Sequence, residues 1–225
     1  MINHLAIIMD WNRRWAKSKF LPVFAGHKAG ADNVVKIAEE VDKLWIKYLT
    51  LWALSTDNLN KRDTSEVEWI IKLVDSIQKY LDKMKIDNLK FETIWDISKL
   101  PEESQNILKK VKDKTKNNTW LTLILALIYW WQDEIVRATQ KIIKSWINPE
   151  DLTKEEFRKF LDTASFPEPE LIIRTGWDIR HSWFLLFDSE YSEYHFTEKW
   201  WPAFDKKELE KSLEKFNSSK RNFGK

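Results

Sequence analysis

The chain has no cysteine and only four glycines among its 225 residues. Without cysteine there can be no disulfide, no thiolate metal ligand and no cysteine nucleophile. No apolar run reaches the length of a membrane-spanning helix, and the longest, 121–131, is closer to a strand. Lys and Arg number 37 against 35 Asp and Glu, a net charge of +2. This lacks the concentrated basic excess of a general nucleic-acid binder, so no nucleic-acid partner is expected. No GxGxxG or Walker pattern occurs, which leaves nucleotide-dependent chemistry unsupported. Met1-Ile2-Asn3-His4 runs straight into a strand-like segment, leaving no room for a signal peptide, and a cytoplasmic protein is expected.

The shortage of glycine has a counterpart. Average usage would give roughly 16 glycines in a chain of this length; here there are fourteen tryptophans instead. They stand in Asp10-Trp11-Asn12, Tyr129-Trp130-Trp131, Gly176-Trp177-Asp178 and Trp95-Asp96, at strand ends and turns. Such places favour glycine because it lacks a Cβ, and tryptophan suits them badly. One reading is that most of these positions are glycine codons rendered as tryptophan, as when UGA means glycine in the source. The other is a Trp-rich or designed protein. UGA at position 11 beside UGG at position 15 would favour the first reading.

Apolar, β-branched runs alternate with helical periodicity, which predicts an α/β fold: one domain over 1–225 with a mostly parallel six-stranded sheet flanked by helices. The strands are expected at 5–9, 48–54, 89–94, 121–129, 171–174 and 184–187. Helices are expected near 28–46, 66–85, 102–116, 132–146, 153–162 and 205–216. The second carries Val67, Ile70, Ile71, Leu73, Val74, Ile77 and Leu81 as one apolar stripe. Open parallel sheets bind ligands beyond the carboxyl ends of their strands.

The polar residues at those ends form four groups. Asp10, followed by Asn12, Arg13 and Arg14, suits a Mg²⁺-bound polyphosphate: a carboxylate for the metal, guanidinium forks and free amides for phosphate oxygens. A capping Asp with two surface arginines would read the same. Ser55-Thr56-Asp57-Asn58 fits a helix cap or a small-group binding edge. Arg174, Arg180 and Ser182 lie within nine residues and can surround a diphosphate with charge-assisted hydrogen bonds. Glu193 is an acid among aromatics, placed either on a metal or at an exposed sheet edge. The histidines, His4, His27, His181 and His195, show no metal-ligand spacing.

The order of motifs resembles the cis-prenyltransferases over nearly the whole chain. His4 to Lys17 is similar to that family's opening signature, with Trp11 in place of its glycine. Ala25-Gly26-His27-Lys28-Ala29-Gly30 follows at the family's spacing, then Leu51 to Asn58, Ala126 to Ile135, Ile172 to Leu186, Tyr191 to Phe204, and Arg221-Asn222-Phe223-Gly224 as the closing element. The resemblance implies a parallel-sheet α/β homodimer. It would carry out Mg²⁺-dependent condensation of isopentenyl diphosphate onto an allylic diphosphate such as farnesyl diphosphate. The product, a polyprenyl diphosphate, would grow in an apolar tunnel walled by the 66–85 helix and the 121–127 strand.

Carried over by position, Asp10 assists the metal and diphosphate departure, and Asn58 with Ser55 places the reacting ends. Trp11, Asn12, Arg13, Arg14, Trp15 and His27 surround the allylic diphosphate. Thr56, Asp57 (where the family usually has Glu), Leu59 and Arg62 extend the substrate site. Arg174, Arg180 and Ser182 bind the isopentenyl diphosphate, and Glu193 completes the Mg²⁺ site from near the dimer interface. A non-catalytic subunit supporting an active partner is the alternative; its mark would be loss of Asp10 or of the Arg174/Arg180 pair, and both are present. Peripheral membrane contact is expected only from the lipid product, since no amphipathic segment demands it.

The departures from the pattern are selective. Tryptophan replaces glycine at 11, 130, 131 and 177, and stands where the family carries or tolerates glycine at 45, 95, 120, 146 and 183. Trp15 and Trp201 match family tryptophans. Ile128 for Asn, Gln132 for Arg, Val23 for Arg and Arg13 for Gly are departures of another kind.

Overall fold

The computed structural model describes residues 2–55, 62–94 and 97–219. Thr56, Asp57, Asn58, Leu59, Trp95 and the 221–224 closing element lie outside the described residues. Six strands form one all-parallel sheet: β1 (His4–Ile8), β2 (Tyr48–Trp52), β3 (Lys90–Ile94), β4 (Thr122–Ala126), β5 (Leu171–Thr175) and β6 (Glu193–Thr197), in spatial order β3-β4-β2-β1-β5-β6. β1, β4 and β5 are buried at every position, as strands covered on both faces must be, and their apolar runs reflect this. Flanking them are α1 (Asn12–Ser18), α2 (Val23–Lys43), α3 (Thr64–Asp75), α4 (Ile77–Lys83), α5 (Glu102–Thr115), α6 (Trp131–Ser145), α7 (Lys154–Arg158) and α8 (Lys206–Ser218). The chain leaves β1 toward β2 on one side and later returns to β5 on the other. The sheet therefore has its switch point at β1, and a crevice opens beyond the carboxyl ends of β2, β1 and β5.

Three expectations are corrected. The sixth strand is Glu193–Thr197, and 184–187 is a turn leading into a 3-10 segment, Leu186–Asp188. Phe184 and Leu185 are buried, so their apolarity reports core packing without strand pairing. The expected 66–85 helix is two helices, broken at Ser76, whose hydroxyl donates to the Lys72 carbonyl at 2.9 Å and competes with the backbone ladder. Strand β4 stops at Ala126 because Ile128 turns into left-handed backbone (φ 57°), which ends the ladder.

Among the described residues nine non-glycine residues have positive φ, and four are tryptophan: Trp11 (71°), Trp45 (60°), Trp146 (56°) and Trp183 (59°). The rest are Phe20, Asn88, Ile128, Ser182 and Leu185.

Two of the remaining glycines let α2 press against α1. A Cβ on Gly26 would lie 2.1 Å from the Asn12 carbonyl oxygen, and one on Gly30 would lie 2.3 Å from Asn12 Oδ1. Asn12 is thus seated by the absence of side chains beneath it. Gly26→Ala is expected to cost about 1–3 kcal/mol through overpacking against backbone, read as a lower midpoint in urea unfolding.

One buried acid gives the fold a pH dependence. Glu134 of α6 accepts from the Tyr129 hydroxyl at 2.6 Å and from the Asp162 amide at 3.1 Å. Burial outweighs both bonds and raises its carboxyl from 4.5 to about 7. Between those values the unfolded chain gives up the proton while the folded chain keeps it. Stability therefore falls as pH rises through that window, by about 3 kcal/mol in all. Glu134→Gln should flatten this slope in denaturation midpoints measured across the same pH range.

Candidate active site

The end of β1 sets the first group. The Asp10 amide donates to Thr175 Oγ1 at 3.0 Å, and the Thr175 hydroxyl itself lies 3.2 Å from the Ile8 carbonyl. This buried threonine ties the β1 and β5 ends together and fixes where Asp10 points. The Asp10 carboxylate accepts from Arg174 Nη2 at 2.6 Å. Arg174 is 3% exposed, and its Nη1 donates to the Ser182 hydroxyl at 2.7 Å and the Arg180 carbonyl at 2.5 Å. One guanidinium therefore joins Asp10 of the first sequence group to Arg180 and Ser182 of its own group. Its Nε is buried and has no hydrogen-bond partner among the described residues.

A second junction was not legible in the sequence. Glu66, in the first turn of α3, is 8% exposed and gathers three cationic or ring nitrogens: Arg62 Nη1 at 2.9 Å, His27 Nε2 at 3.0 Å and Arg13 Nε at 3.6 Å. Burial pushes the His27 imidazole below its ordinary value, against the upward pull of Glu66. The neutral ring then donates from Nε2 to the carboxylate. Glu66 reads locally as an acid favourable to its own helix dipole; only the tertiary fold shows it holding α1, α2 and the residues before α3 at once.

Asp178 is the third junction. It accepts from the Trp11 indole N–H at 2.9 Å, pairs with Arg180 Nη1 at 2.7 Å and lies 3.6 Å from Arg14 Nη1. The Trp11 ring stacks on Trp200 and carries the Arg14 guanidinium 3.8 Å over its face. It also fills the space beside Gly176, where a Cβ would lie 2.3 Å from the indole. Trp11 thus lines the cleft beyond β1 and engages both Asp178 and Arg14.

Two polar clefts and an apolar one meet here. The first polar cleft is lined by Asp10, Asn12, Arg13, Arg14, His27 and Arg180; the second by Asp10, Ser55, Arg62, Arg174, Arg180 and Ser182. Asp10, Asn12, His27, Arg62 and Arg180 border both. The apolar cavity takes its walls from Val34 of α2, Ile70 and Val74 of α3, Ile77 and Tyr80 of α4 and Leu125 of β4, and it shares Asn12 and His27 with the polar side. Two sites rich in anion donors thus sit at the mouth of one hydrocarbon-lined space.

A sequence profile described as "Putative undecaprenyl diphosphate synthase" matches residues 8–224. The isoprenyl transferase of Clostridium perfringens is 39% identical, covering 100% of this chain and 90% of that protein. The chain belongs to this family. The ditrans,polycis-undecaprenyl-diphosphate synthase of Micrococcus luteus, described as specific for (2E,6E)-farnesyl diphosphate, is also 39% identical over 98% of the chain and 90% of its own length. Among solved structures, lavandulyl diphosphate synthase from Lavandula x intermedia, in complex with dimethylallyl diphosphate, superposes with a TM-score of 0.95 at 32% identity, covering 100% and 98% of the two chains. A probable undecaprenyl diphosphate synthase from Campylobacter jejuni gives 0.83 at 30% identity, covering 100% and 99%. The protein is a cis-prenyltransferase of the undecaprenyl diphosphate synthase type.

Within this family frame, most of the described candidate residues converge. Asp10, Trp11, Asn12, Arg13, Arg14, His27, Ser55, Arg62, Arg174, Arg180 and Ser182 all border the two polar clefts. Trp15 lies on α1 and borders neither cleft. Glu193 is the exception that matters. It opens β6 and pairs in register with Leu171, which is level with Leu5 of β1. Asp10 lies five residues further toward the carboxyl end, about 15 Å along the strand direction. Within one chain, then, Glu193 does not complete a metal site with Asp10. Among the described residues no group of three or more His, Asp or Glu side chains is placed to hold a metal. No described helix is long and apolar enough to cross a membrane.

Proposed function

We propose that this cis-prenyltransferase condenses isopentenyl diphosphate with an allylic diphosphate of the farnesyl class and acts with Mg²⁺. Its product would be a polyprenyl diphosphate. The observation that supports this most is the Arg174 junction. A single buried guanidinium links Asp10 and Arg180, which border both polar clefts, to Ser182 in the second. Two diphosphates bound on either side would have their reacting carbons brought together, and orientation of this kind is a large part of what such a site must supply. The adjacent apolar cavity suits the hydrocarbon tail of the allylic substrate and of the growing product.

The residues present fit a magnesium ion that relies mainly on its substrate. Mg²⁺ commonly takes one or two protein carboxylates, filling its remaining positions with phosphate oxygens and water. Asp10, part-exposed and oriented by Arg174 and Thr175, is the carboxylate that would hold it. The ion would neutralise charge on the departing diphosphate. Arg13, Arg14 and Asn12 would bind the allylic diphosphate, and Arg174, Arg180 and Ser182 the isopentenyl one. A second copy of the chain, as in the expected homodimer, is where Glu193 could enter the metal site.

Calorimetric titration tests the two-site reading. The folded protein with Mg²⁺ is expected to bind isopentenyl diphosphate and an unreactive thio-analogue of farnesyl diphosphate independently, one of each per chain. Arg180→Ala should weaken the first by tenfold or more. Mutual exclusion of the two ligands would overturn the reading.

Glu66 belongs to the same account as a positioning residue. Glu66→Gln keeps the size but removes the charge that gathers Arg13, Arg62 and His27. The expected result is a KM for the allylic diphosphate raised by about tenfold, equivalent to about 1.4 kcal/mol, with kcat changed less. An equal fall in kcat at unchanged KM would contradict this role.

A further inference from the structure

Backbone geometry divides the tryptophans into two sets. Non-glycine residues with positive φ make up only a few per cent of ordinary chains, and bulky ones fewer. Here four of the described tryptophans are left-handed, at 11, 45, 146 and 183. Trp45 occupies the glycine place of a complete Schellman motif: its N–H bonds the Asp42 carbonyl at 2.9 Å, and the next N–H, of Ile46, bonds the Val41 carbonyl at 3.3 Å. Trp146 is the left-handed residue that ends α6, and its side chain is 93% exposed, so its ring gains little from packing. Trp11 precedes α1 in left-handed backbone and crowds Gly176. By contrast Trp201 is fully buried, donates its indole N–H to the Gly30 carbonyl at 2.8 Å and stacks on Phe204. Trp52 lies in β2 stacked on Phe184, and Trp69 lies in α3 stacked on Phe24. These three do what tryptophan does in a fold.

We propose that the native polypeptide carries glycine at 11, 45, 146 and 183, specified by UGA codons that the source reads as glycine, and tryptophan at 52, 69 and 201. The chain with tryptophan at the four positions is then a mistranslation whose fold survives on the remaining residues. Codon inspection joined to peptide mass spectrometry of the protein from its native source decides it. The expected result is UGA and glycine masses at the four left-handed positions, with UGG and tryptophan masses at 52, 69 and 201. UGG, or a tryptophan mass, at the four positions would overturn the proposal. So would UGA spread equally over both sets, because backbone conformation would then not be the discriminator. As a second reading, the chain carrying all four glycines should unfold roughly 10 °C higher than the tryptophan chain; an unchanged or lower midpoint would count against it.

A separate observation concerns the loop between α1 and α2. Phe20 is 99% exposed and held at a φ of 55°, and Leu21, Val23 and Phe24 beside it are also exposed. A bulky aromatic is thus kept in a disfavoured backbone conformation with its ring in solvent. Lys17 and Lys19 flank it, and no ion pair among the described residues engages either one. The loop borders the first polar cleft, which adjoins the apolar cavity. Aromatic and aliphatic side chains beside two unpaired lysines match an anionic bilayer surface: the rings enter the headgroup boundary and the lysines meet lipid phosphates. The geometry points to residues 17–24 as a docking surface for anionic lipid, placing the cavity mouth at the membrane. This supplies the membrane feature that the sequence alone did not show.

Co-sedimentation with phosphatidylglycerol/phosphatidylcholine vesicles tests it, with circular dichroism confirming the fold of each variant. The full chain is expected to partition onto anionic vesicles, more weakly in high salt. Phe20→Ser with Leu21→Ser should reduce the partition coefficient at least tenfold, and Lys17→Gln with Lys19→Gln should remove the salt dependence. Equal binding by the folded serine variant, or no binding by the full chain, would overturn the assignment. Self-association lost in the same variant without vesicle binding would assign the surface to a second copy instead.

Discussion

Asp10→Asn is expected to lower kcat by about a thousandfold while leaving the protein folded. The reasoning separates two roles of the carboxylate. As a hydrogen-bond acceptor for Arg174 Nη2 and for the Trp11 amide, it helps hold a guanidinium that is almost wholly buried. Deleting it with alanine would leave that charge without its partner, at a cost of about 3–5 kcal/mol, and lost activity would then be confounded with lost structure. Asparagine keeps one oxygen for Arg174; it removes the charge and the acceptor that faces the Trp11 amide. What disappears is the site that would hold Mg²⁺ against the departing diphosphate. Losing one preorganised electrostatic element of this kind typically costs about 10²–10³ in kcat. Steady-state kinetics, with circular dichroism as the folding control, checks it. A folded Asp10→Asn protein retaining a tenth of the activity would show that Asp10 is structural.

Trp11→Gly is the second large effect, and it runs the other way. The indole fills the cleft between Asp178, Gly176, Trp200 and Arg14. Its removal opens that volume and frees the Arg14 guanidinium for phosphate. It also relieves a left-handed tryptophan, worth about 1–2 kcal/mol. The variant is expected to be more stable and to bind the allylic diphosphate at least tenfold more tightly, seen as a lower KM. The lost bond from the indole to Asp178 works against this, but Arg180 at 2.7 Å still satisfies that carboxylate. Weaker substrate binding in Trp11→Gly would show that the indole is itself part of the substrate site.

Most of the sheet was legible because strands covered on both faces leave near-continuous apolar runs. His4–Ile8, Thr122–Ala126 and Leu171–Thr175 are buried at every position, so composition alone betrays them. The sixth strand escaped for the opposite reason. Glu193–Thr197 is an edge strand with mixed burial and polar ends, whereas the apolar 184–187 segment is buried without pairing. Apolarity reports burial, and burial need not mean a strand. The break at Ser76 is a one-residue competition that an apolar stripe passes over.

The site was legible in parts. Asp10, Arg174, Arg180 and Ser182 each sit at or just beyond a strand end, and strand ends are where a parallel sheet exposes its chemistry. That one guanidinium joins them depends on β1 and β5 being neighbours, which no local pattern states. Glu66 was invisible as a site residue, since its three partners come from residues 13, 27 and 62 and only packing brings them together. Glu193 is a motif position that the register places, within one chain, at the far end of the sheet from Asp10, which no local pattern states.

The central claim is that two diphosphate sites sharing Asp10 open onto one hydrocarbon cavity and join their occupants. Incorporation of labelled isopentenyl diphosphate, with farnesyl diphosphate and Mg²⁺, tests it most directly. The assay is run on a chain with glycine at the four left-handed positions, 11, 45, 146 and 183, beside the chain with tryptophan there. The expected result is long, solvent-extractable polyprenyl product from the glycine chain, dependent on both diphosphates and cut about a thousandfold by Asp10→Asn, with much less from the tryptophan chain. A glycine chain that is folded and dimeric yet makes no product would contradict it and mark the protein as a non-catalytic partner.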